Sequence, residues 1–296
     1  MTPVPVEDAA VAEGLVRMRE LAGALSDVER GGAGLRAAPR PSDAILGLVG
    51  PPGVGKSSLI SALVRRARDR GERVVVLAVD PSSPMTGGAL LGDRIRLAEH
   101  ATDPGVFVRS FASRGHPGGL SAAIPAAVET ALALGWDRVF IEPVGGGQND
   151  VDVVACADHV VLVVSPESGD DIQALKAGIL EMVDVIAINK ADRPGASTLR
   201  TMLRSQWRGR GQGSIVLVSA ADGTGLEDLD DRTREVGDGD ASRRDAALVS
   251  AVLNDASVAL RASLADATLR SAVIDLARAG DRSAAIRHLL EGARHA

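Results

Sequence analysis

Apolar positions along the chain follow two periods. Residues 7–28 carry Val11, Leu15, Met18, Leu21 and Leu25 at helical spacing, which predicts an amphipathic helix. Gly31, Gly32 and Gly34, then Pro39 and Pro41, end it. Seven short runs rich in β-branched and aliphatic residues then predict strands: Ala44–Val49, Arg73–Val79, Val106–Arg109, Arg138–Glu142, His159–Val164, Val185–Ile188 and Ile215–Val218. Between them Ser57–Arg70, Leu120–Leu134, 172–183 and 196–206 read as helices, with a shorter one around Leu97. Arg73–Val79 is apolar almost throughout, as a strand buried on both faces must be. Strands alternating with helices predict a parallel sheet covered on both sides. The strand signal stops near residue 240, and 243–294 predict two or three helices around Gly280. The chain shows no internal repeat and no low-complexity tract.

The chain has 296 residues, 45% hydrophobic, with a formal net charge of −6. That suits one large or about two ordinary globular domains. The longest apolar runs, such as Val74–Val79 and Val160–Val164, fall well short of the ~20 residues of a membrane-spanning helix. Met1–Asp8 has neither the basic start nor the apolar core of a secretory signal. A single cysteine, Cys156, excludes a disulfide framework and a Cys-based zinc site, and is expected as a packing residue in a cytoplasmic protein. The mild acidity argues against nucleic acid as the main partner. Aromatic residues are 2% with no tyrosine, so the core must be Val, Leu, Ile and Ala, with Trp136 and Trp207 capping the helical layers. Of 33 Lys and Arg, only Lys56, Lys176 and Lys190 are lysine. A lysine here marks a place where a compact point charge is needed and a planar fork would fail.

Two lysines fall in recognisable patterns. Gly50-Pro51-Pro52-Gly53-Val54-Gly55-Lys56-Ser57, followed by Ser58, matches G-x-x-x-x-G-K-[ST] between an expected strand and an expected helix. Glycines there let successive N–H groups turn toward a phosphate, and the helix N-terminus adds partial positive charge. Lys56 can reach the terminal phosphates, and the Ser57 hydroxyl can ligate Mg²⁺. The fold expected is therefore α/β of the P-loop NTPase type: a three-layer α/β/α domain with a mostly parallel sheet. The expected segments are an N-terminal helical part (1–40), the nucleotide domain (41–237) and a C-terminal helical part (238–296).

Ile186-Ala187-Ile188 runs into Asn189-Lys190-Ala191-Asp192, the pattern N-K-x-D after a strand. A carboxylate at Asp192 can accept from guanine N1–H and from its exocyclic amine. Adenine offers neither, and the loss of such a bidentate contact is worth roughly 1–3 kcal/mol. Asn189 is expected to tie this loop to the phosphate loop, with the Lys190 stem on the base plane. Ser219-Ala220, after the last strand, suits a backbone contact to guanine O6. The expected ligands are thus GTP and GDP. Asp80 and Glu142 end strands, and Asp93 follows in a Gly-rich loop. Ligands of an open parallel sheet bind beyond its carboxyl ends. Lys56, Asp80, Asp93 and Glu142 are therefore the candidate catalytic residues, and Ser57, Asp80, Asp93 and Glu142 the candidate Mg²⁺ ligands. Glycines 87, 88 and 145–147 would let these loops move when the γ-phosphate leaves.

Together these stretches resemble the MeaB/ArgK-type GTPases, the family that includes the methylmalonic aciduria type A proteins. The resemblance rests on Gly50–Ser57, Leu77-Ala78-Val79-Asp80-Pro81-Ser82-Ser83, Thr86-Gly87-Gly88, Leu91-Gly92-Asp93, Gly118-Gly119, Glu142 with Val144-Gly145 and Gly147-Gln148, Gly169-Asp170, and Asn189–Asp192. It implies a homodimeric GTPase, slow when alone, whose C-terminal helices form the dimerisation arm. It also implies a client: an adenosylcobalamin-dependent acyl-CoA mutase, methylmalonyl-CoA mutase above all, whose cofactor loading it gates and which it protects. The chain departs from the family in having Pro143 and Gly146 after Glu142, Ser110–His116 before Pro117, and Pro166-Glu167-Ser168 before Gly169. Two alternatives are a metallochaperone GTPase for another metalloenzyme and a paralogue serving a different cobalamin mutase. The lone cysteine and the unspaced His100, His116, His159, His288 and His295 count against a metal-delivery role. A phosphate-loop kinase is a third possibility, opposed by Asn189–Asp192.

Overall fold

The computed structural model describes residues 6–32, 34–35, 43–80, 98–112, 123–143, 153, 156–167, 180, 183–207, 214–235, 264, 266–278 and 281–292. The chain divides into two compact units, Met1–Arg244 and Asp245–Ala296. In the first, seven strands form one sheet: β1 (Ile45–Val49), β2 (Val74–Asp80), β3 (Val106–Ala112), β4 (Arg138–Pro143), β5 (His159–Val164), β6 (Val185–Ile188) and β7 (Ser214–Leu217). Their order is β3-β2-β4-β1-β5-β6-β7, and every pairing is parallel. Among the described residues, the α-helices of this unit include α1 (Val6–Glu29), α2 (Lys56–Asp69), α3 (Ala123–Ala133), α4 (Ala196–Gln206) and α5 (Leu226–Arg232).

Side chains alternate along each strand, and both faces are apolar because both are covered. On one face Ile45, Leu77, Ile141, Leu162 and Ile188 pack under α1, α3 and α4. On the other, Leu48, Val76, Phe140, Val163 and Val216 pack under α2 and α5. Trp136 and Trp207 are buried in the first layer, where the Trp207 Nε1–H donates to Leu180 O at 2.8 Å. Cys156 packs, partly buried, against the same cluster. This is the three-layer α/β/α fold expected from the sequence.

The order of strands places the ligand crevice. From β1 the chain moves to one side to build β2 and β3, and β4 returns beside β1. β5 then opens the other side. The direction of winding reverses at β1, and such a switch point leaves a cleft beyond the strands' carboxyl ends.

Several elements differ from expectation. β3 runs three residues further, to Ala112, because Arg109–Ala112 continue the ladder with Leu77–Asp80. β7 lies one residue earlier than expected. α5 was not expected, since LEDLDDR offers only Leu226 and Leu229 as apolar positions. A short 3-10 turn, Ala98–His100, follows the 80–97 segment. Along α1 only the second half is buried: Leu21, Leu25 and Val28 are in the core, whereas Val11 and Leu15 are about half exposed. The second half is where Arg109 of β3 reaches the helix, donating to Ala22 O, Ser26 Oγ and Glu29 Oε2. The 145–147 glycine loop, most of the 172–183 helix, and the segments around Leu97, Thr86–Gly88, Gly118-Gly119 and Gly169-Asp170 lie outside the described residues. In the second unit α6 (Ala267–Arg278) and α7 (Arg282–Gly292) form a helical pair either side of residue 280.

At the amino ends of the strands, opposite the crevice, a charge cluster pins α5 to the sheet. The buried Asp230 of α5 accepts from Arg66 of α2, from Arg70 at that helix's C-cap and from Arg234, and lies 3.6 Å from the buried Arg138 of β4. Arg138 also donates to Thr233 Oγ1. Burial, with the nearby charge of Arg234, pushes the Arg138 pKa down to about 10, which leaves it protonated at neutral pH. For Asp230 burial alone would raise the pKa. The Arg70 hydrogen bond and the charges of Arg234 and Arg138 outweigh that and hold it below the ordinary value. Asp230→Asn is expected to lower unfolding free energy by about 3–5 kcal/mol, as breaking a buried ion pair does. A group with a depressed pKa stabilises the fold above its ordinary pKa and loses that contribution as protons bind. The difference between wild type and Asp230→Asn, read from urea midpoints, should therefore hold at neutral pH and shrink below about pH 4.

Candidate functional site

The phosphate loop leaves β1 at Gly50. Its φ is +138°, and a Cβ there would sit 2.2 Å from the Val163 carbonyl oxygen of β5, so the chain can turn only with glycine. Gly55, at φ +93°, precedes α2 and meets the Asn189 side chain: an added Cβ would lie 2.5 Å from Asn189 Nδ2. Gly53 and Val54 complete the turn, Val54 buried and Gly53 exposed; Ser58 is exposed on the first turn of α2. The buried Lys56 ammonium donates to Gly50 O at 2.9 Å and Pro51 O at 3.1 Å, folded back over its own loop.

Next to it, the Ser57 hydroxyl donates to Glu142 Oε1 at 2.7 Å, and both side chains are buried. Glu142 reaches this point because β4 is the immediate neighbour of β1. Asp80 ends β2, which pairs with β4 so that Ala78 stands opposite Glu142. Asp93 lies outside the described residues. Among the four residues expected to hold metal, the structure thus joins Ser57 to Glu142 and sets the end of β2 on the adjoining strand.

The N-K-x-D loop follows β6. The Asn189 side chain donates through Nδ2 to Val54 O at 2.9 Å and, more weakly, to Gly55 O at 3.4 Å, while its Oδ1 accepts from Ala220 N at 3.2 Å. One amide therefore fastens the phosphate loop, the base loop and the Ser219-Ala220 loop together. Ser219 is fully buried, and its backbone N–H and carbonyl bond Thr224 and Gly223. Asp222, whose carboxyl is held below the usual range by hydrogen bonds from Thr224, closes that loop. Asp192 is exposed at the tip of the turn 190–193, which the Arg193 N–H closes by donating to Lys190 O at 2.9 Å. Lys190 has φ +58°, the one non-glycine residue with positive φ among those described. Its ammonium lies 2.8 Å from Glu167 Oε2.

The sequence reading missed Glu167. Its signal was positional: β5 and β6 are neighbours, Val164 standing opposite Ile188, so whatever follows β5 abuts the N-K-x-D turn. It also missed that Lys56 would be held by carbonyls of its own loop.

The chain resembles known proteins over most of its length. Residues 36–275 match the family model described as methylmalonyl-CoA mutase-associated GTPase MeaB. A Pyrococcus abyssi protein, provisionally named a GTPase, is 47% identical over 199 residues, covering 64% of this chain and 61% of that protein. A mouse protein named methylmalonic aciduria type A homolog, mitochondrial, is 35% identical over 214 residues, covering 68% of this chain and 51% of its own. The matched region thus spans about three fifths of the archaeal relative and half of the mouse one. A crystal structure described as an LAO/AO transport system kinase superposes over 97% of this chain and 99% of its own, with a TM-score of 0.58 at 20% identity, a likeness of fold. With its phosphate loop, its N-K-x-D loop and its Ser57–Glu142 pair in one crevice, the chain belongs to the MeaB family of methylmalonyl-CoA mutase-associated GTPases.

Proposed function

We propose that the chain binds and hydrolyses GTP as a switch that gates cofactor loading, and protection, of an adenosylcobalamin-dependent acyl-CoA mutase, methylmalonyl-CoA mutase first. The observation that carries the nucleotide part is the Asn189 amide, which holds the phosphate loop at Val54 and the O6-side loop at Ala220 at once. Such a bridge suits a ligand with phosphates at one end and a base at the other. The mutase part is supported by the family's description and by the mouse relative's name.

In this reading the Lys56 ammonium exchanges its two carbonyl partners for terminal phosphate oxygens. Asp192 accepts from the two N–H groups on the guanine edge, and Ala220 offers backbone to O6. Ser57 and Glu142 are both oxygen donors at one buried point, which suits a hard cation. Ser57 would hold Mg²⁺, with Asp80, Asp93 and Glu142 as the acids about it. Mg²⁺ when bound neutralises charge developing on the β- and γ-phosphates. Glu142, on β4 beside the phosphate loop, is the acid that would orient the attacking water in this reading.

The family's dimer is proposed to use the second unit, with the protein working in the cytoplasm. Among the described residues Ile274 of α6 and Ile286 and Leu290 of α7 are exposed, apolar surface that a second copy could cover. No helix among the described residues is long and apolar enough to cross a membrane.

Asp192→Asn is expected to weaken GTP by at least about tenfold and to favour xanthosine triphosphate, whose base carries a carbonyl in place of the amine. Equal GTP affinity in titration calorimetry would contradict the base assignment. Ile286→Glu with Leu290→Glu should convert a dimer to monomer in sedimentation velocity; an unchanged dimer would place its interface elsewhere. GTP turnover should rise several-fold when methylmalonyl-CoA mutase from the same source is added. Turnover indifferent to that mutase would reject it as the client.

A further inference from the structure

Glu167 stands at the end of the β5 loop, against the N-K-x-D turn. Its Oε2 accepts from Lys190 Nζ at 2.8 Å, and its Oε1 accepts from the Arg193 guanidinium. The two cations hold its carboxyl below the usual range, Lys190 first and Arg193 second. The wall between the loops is close: a Cβ on Gly195 would be 3.5 Å from Pro166 Cβ. The hydrogen bond from Arg193 N to Lys190 O brings the two ends of the turn together, so both cations flank the residue at its tip, Asp192. Yet the Asp192 carboxylate makes no hydrogen bond or ion pair among the described residues. Asp192 lies between two cationic residues in the turn, and both of those cations are paired with a second carboxylate.

We infer that Glu167 is a positioning residue for guanine selection: it draws Lys190 and Arg193 to the outside of the turn and so leaves the Asp192 carboxylate open to the two N–H donors of the base. The inference rests on the reading of Asp192 as the base contact. Without Glu167, Lys190 and Arg193 are free to turn to the carboxylate of their own turn, Asp192, and guanine must compete with them. A carboxylate paired with a guanidinium is a poorer acceptor for the guanine exocyclic amine, because the amine must displace an existing charged partner. The positive φ of Lys190 fixes where its stem leaves the turn. Glu167 fixes where its charge ends.

The test uses the full chain with GDP and with inosine diphosphate, which lacks the exocyclic amine. Glu167→Gln keeps the side chain's shape and removes its charge. It is expected to weaken GDP by about three- to fivefold, the scale of an exposed ion pair, while inosine diphosphate changes less, so that the preference between them shrinks. Adding Arg193→Ala to Glu167→Gln removes a competing cation and should restore part of that preference. The effect should fade between about 0.05 and 0.5 M salt, as screening takes over. In an Asp192→Asn background Glu167→Gln should add nothing to the selectivity. Equal losses for the two nucleotides, or no recovery with Arg193→Ala, would make Glu167 a brace for the loop and overturn the inference. If Asp192→Asn itself leaves the choice of GDP over xanthosine diphosphate unchanged, the base assignment fails instead; a normal Asp192→Asn response with a silent Glu167→Gln overturns the inference alone.

Discussion

The side-chain amide of Asn189 has to serve three loops at once. Its Nδ2 donates to carbonyls of the phosphate loop, and its Oδ1 accepts the Ala220 N–H. The residue is almost fully buried, so losing any of these bonds would leave a polar group without water to replace its partner, at a cost of about 1–3 kcal/mol. The amide can reach all three only because Gly55 has no side chain at the point of closest approach. Three connections, leaving β1, β6 and β7, are thereby tied to one another. A site built of separate loops acquires the rigidity that recognition of a long, two-ended ligand requires.

A second constraint acts at the opposite end of the strands. α5 follows the Ser219–Thr224 loop, and its far end is fixed by Asp230, Thr233 and Arg234 to the end of α2, to β4 and to Glu72, two residues before β2. α2 starts at the phosphate loop, and β4 ends at Glu142. Each of the three elements clamped by the charge cluster therefore carries part of the site at its other end. The cluster contributes no group to the ligand. It sets the angle at which three groups of the site arrive.

The sheet was legible in the sequence because parallel strands covered on both faces must be nearly continuous apolar runs, and His159–Val164 and Val185–Ile188 are where the runs placed them. The loops that follow were legible by residue type, since turning a chain around a phosphate needs glycine at particular places. The partnerships were less so. Ser57 and Glu142 are 85 residues apart, and nothing in either neighbourhood names the other; adjacency of β1 and β4 decides it. α5 escaped because a seven-residue helix with two apolar positions has too little periodicity, and its stability comes from Gly225, the acids of its first turn and the charge cluster. The first half of α1 misled for the converse reason. Its apolar spacing is helical, but spacing does not say what lies opposite, and the side chains of Val11 and Leu15 remain exposed.

The scarcity of lysine can now be given a physical reason. Where this protein needs a fixed pair it uses arginine: Arg234 forks onto Glu72 through two bonds of 2.8 Å, and Arg73 grips Asp137 with two nitrogens. Such forks are planar and hold their acceptors in fixed directions. Lys56 faces another task. Its ammonium satisfies two carbonyls of a tight, buried loop, and in the proposed function must leave both for a phosphate. A compact cation with three donors that rotate about one bond can make that exchange inside the loop, and a guanidinium plane cannot. In the same proposed function Lys190 has to offer a thin apolar stem ending in a single charge. A stem that lies flat along a base while its charge is held elsewhere, here on Glu167, describes lysine better than arginine, whose guanidinium plane is itself the contact surface. The third lysine, Lys176, lies outside the described residues. Where arginine is the default cation, the two described exceptions fall where the proposed function asks for a positive charge that is small and mobile, or kept at the end of a stem.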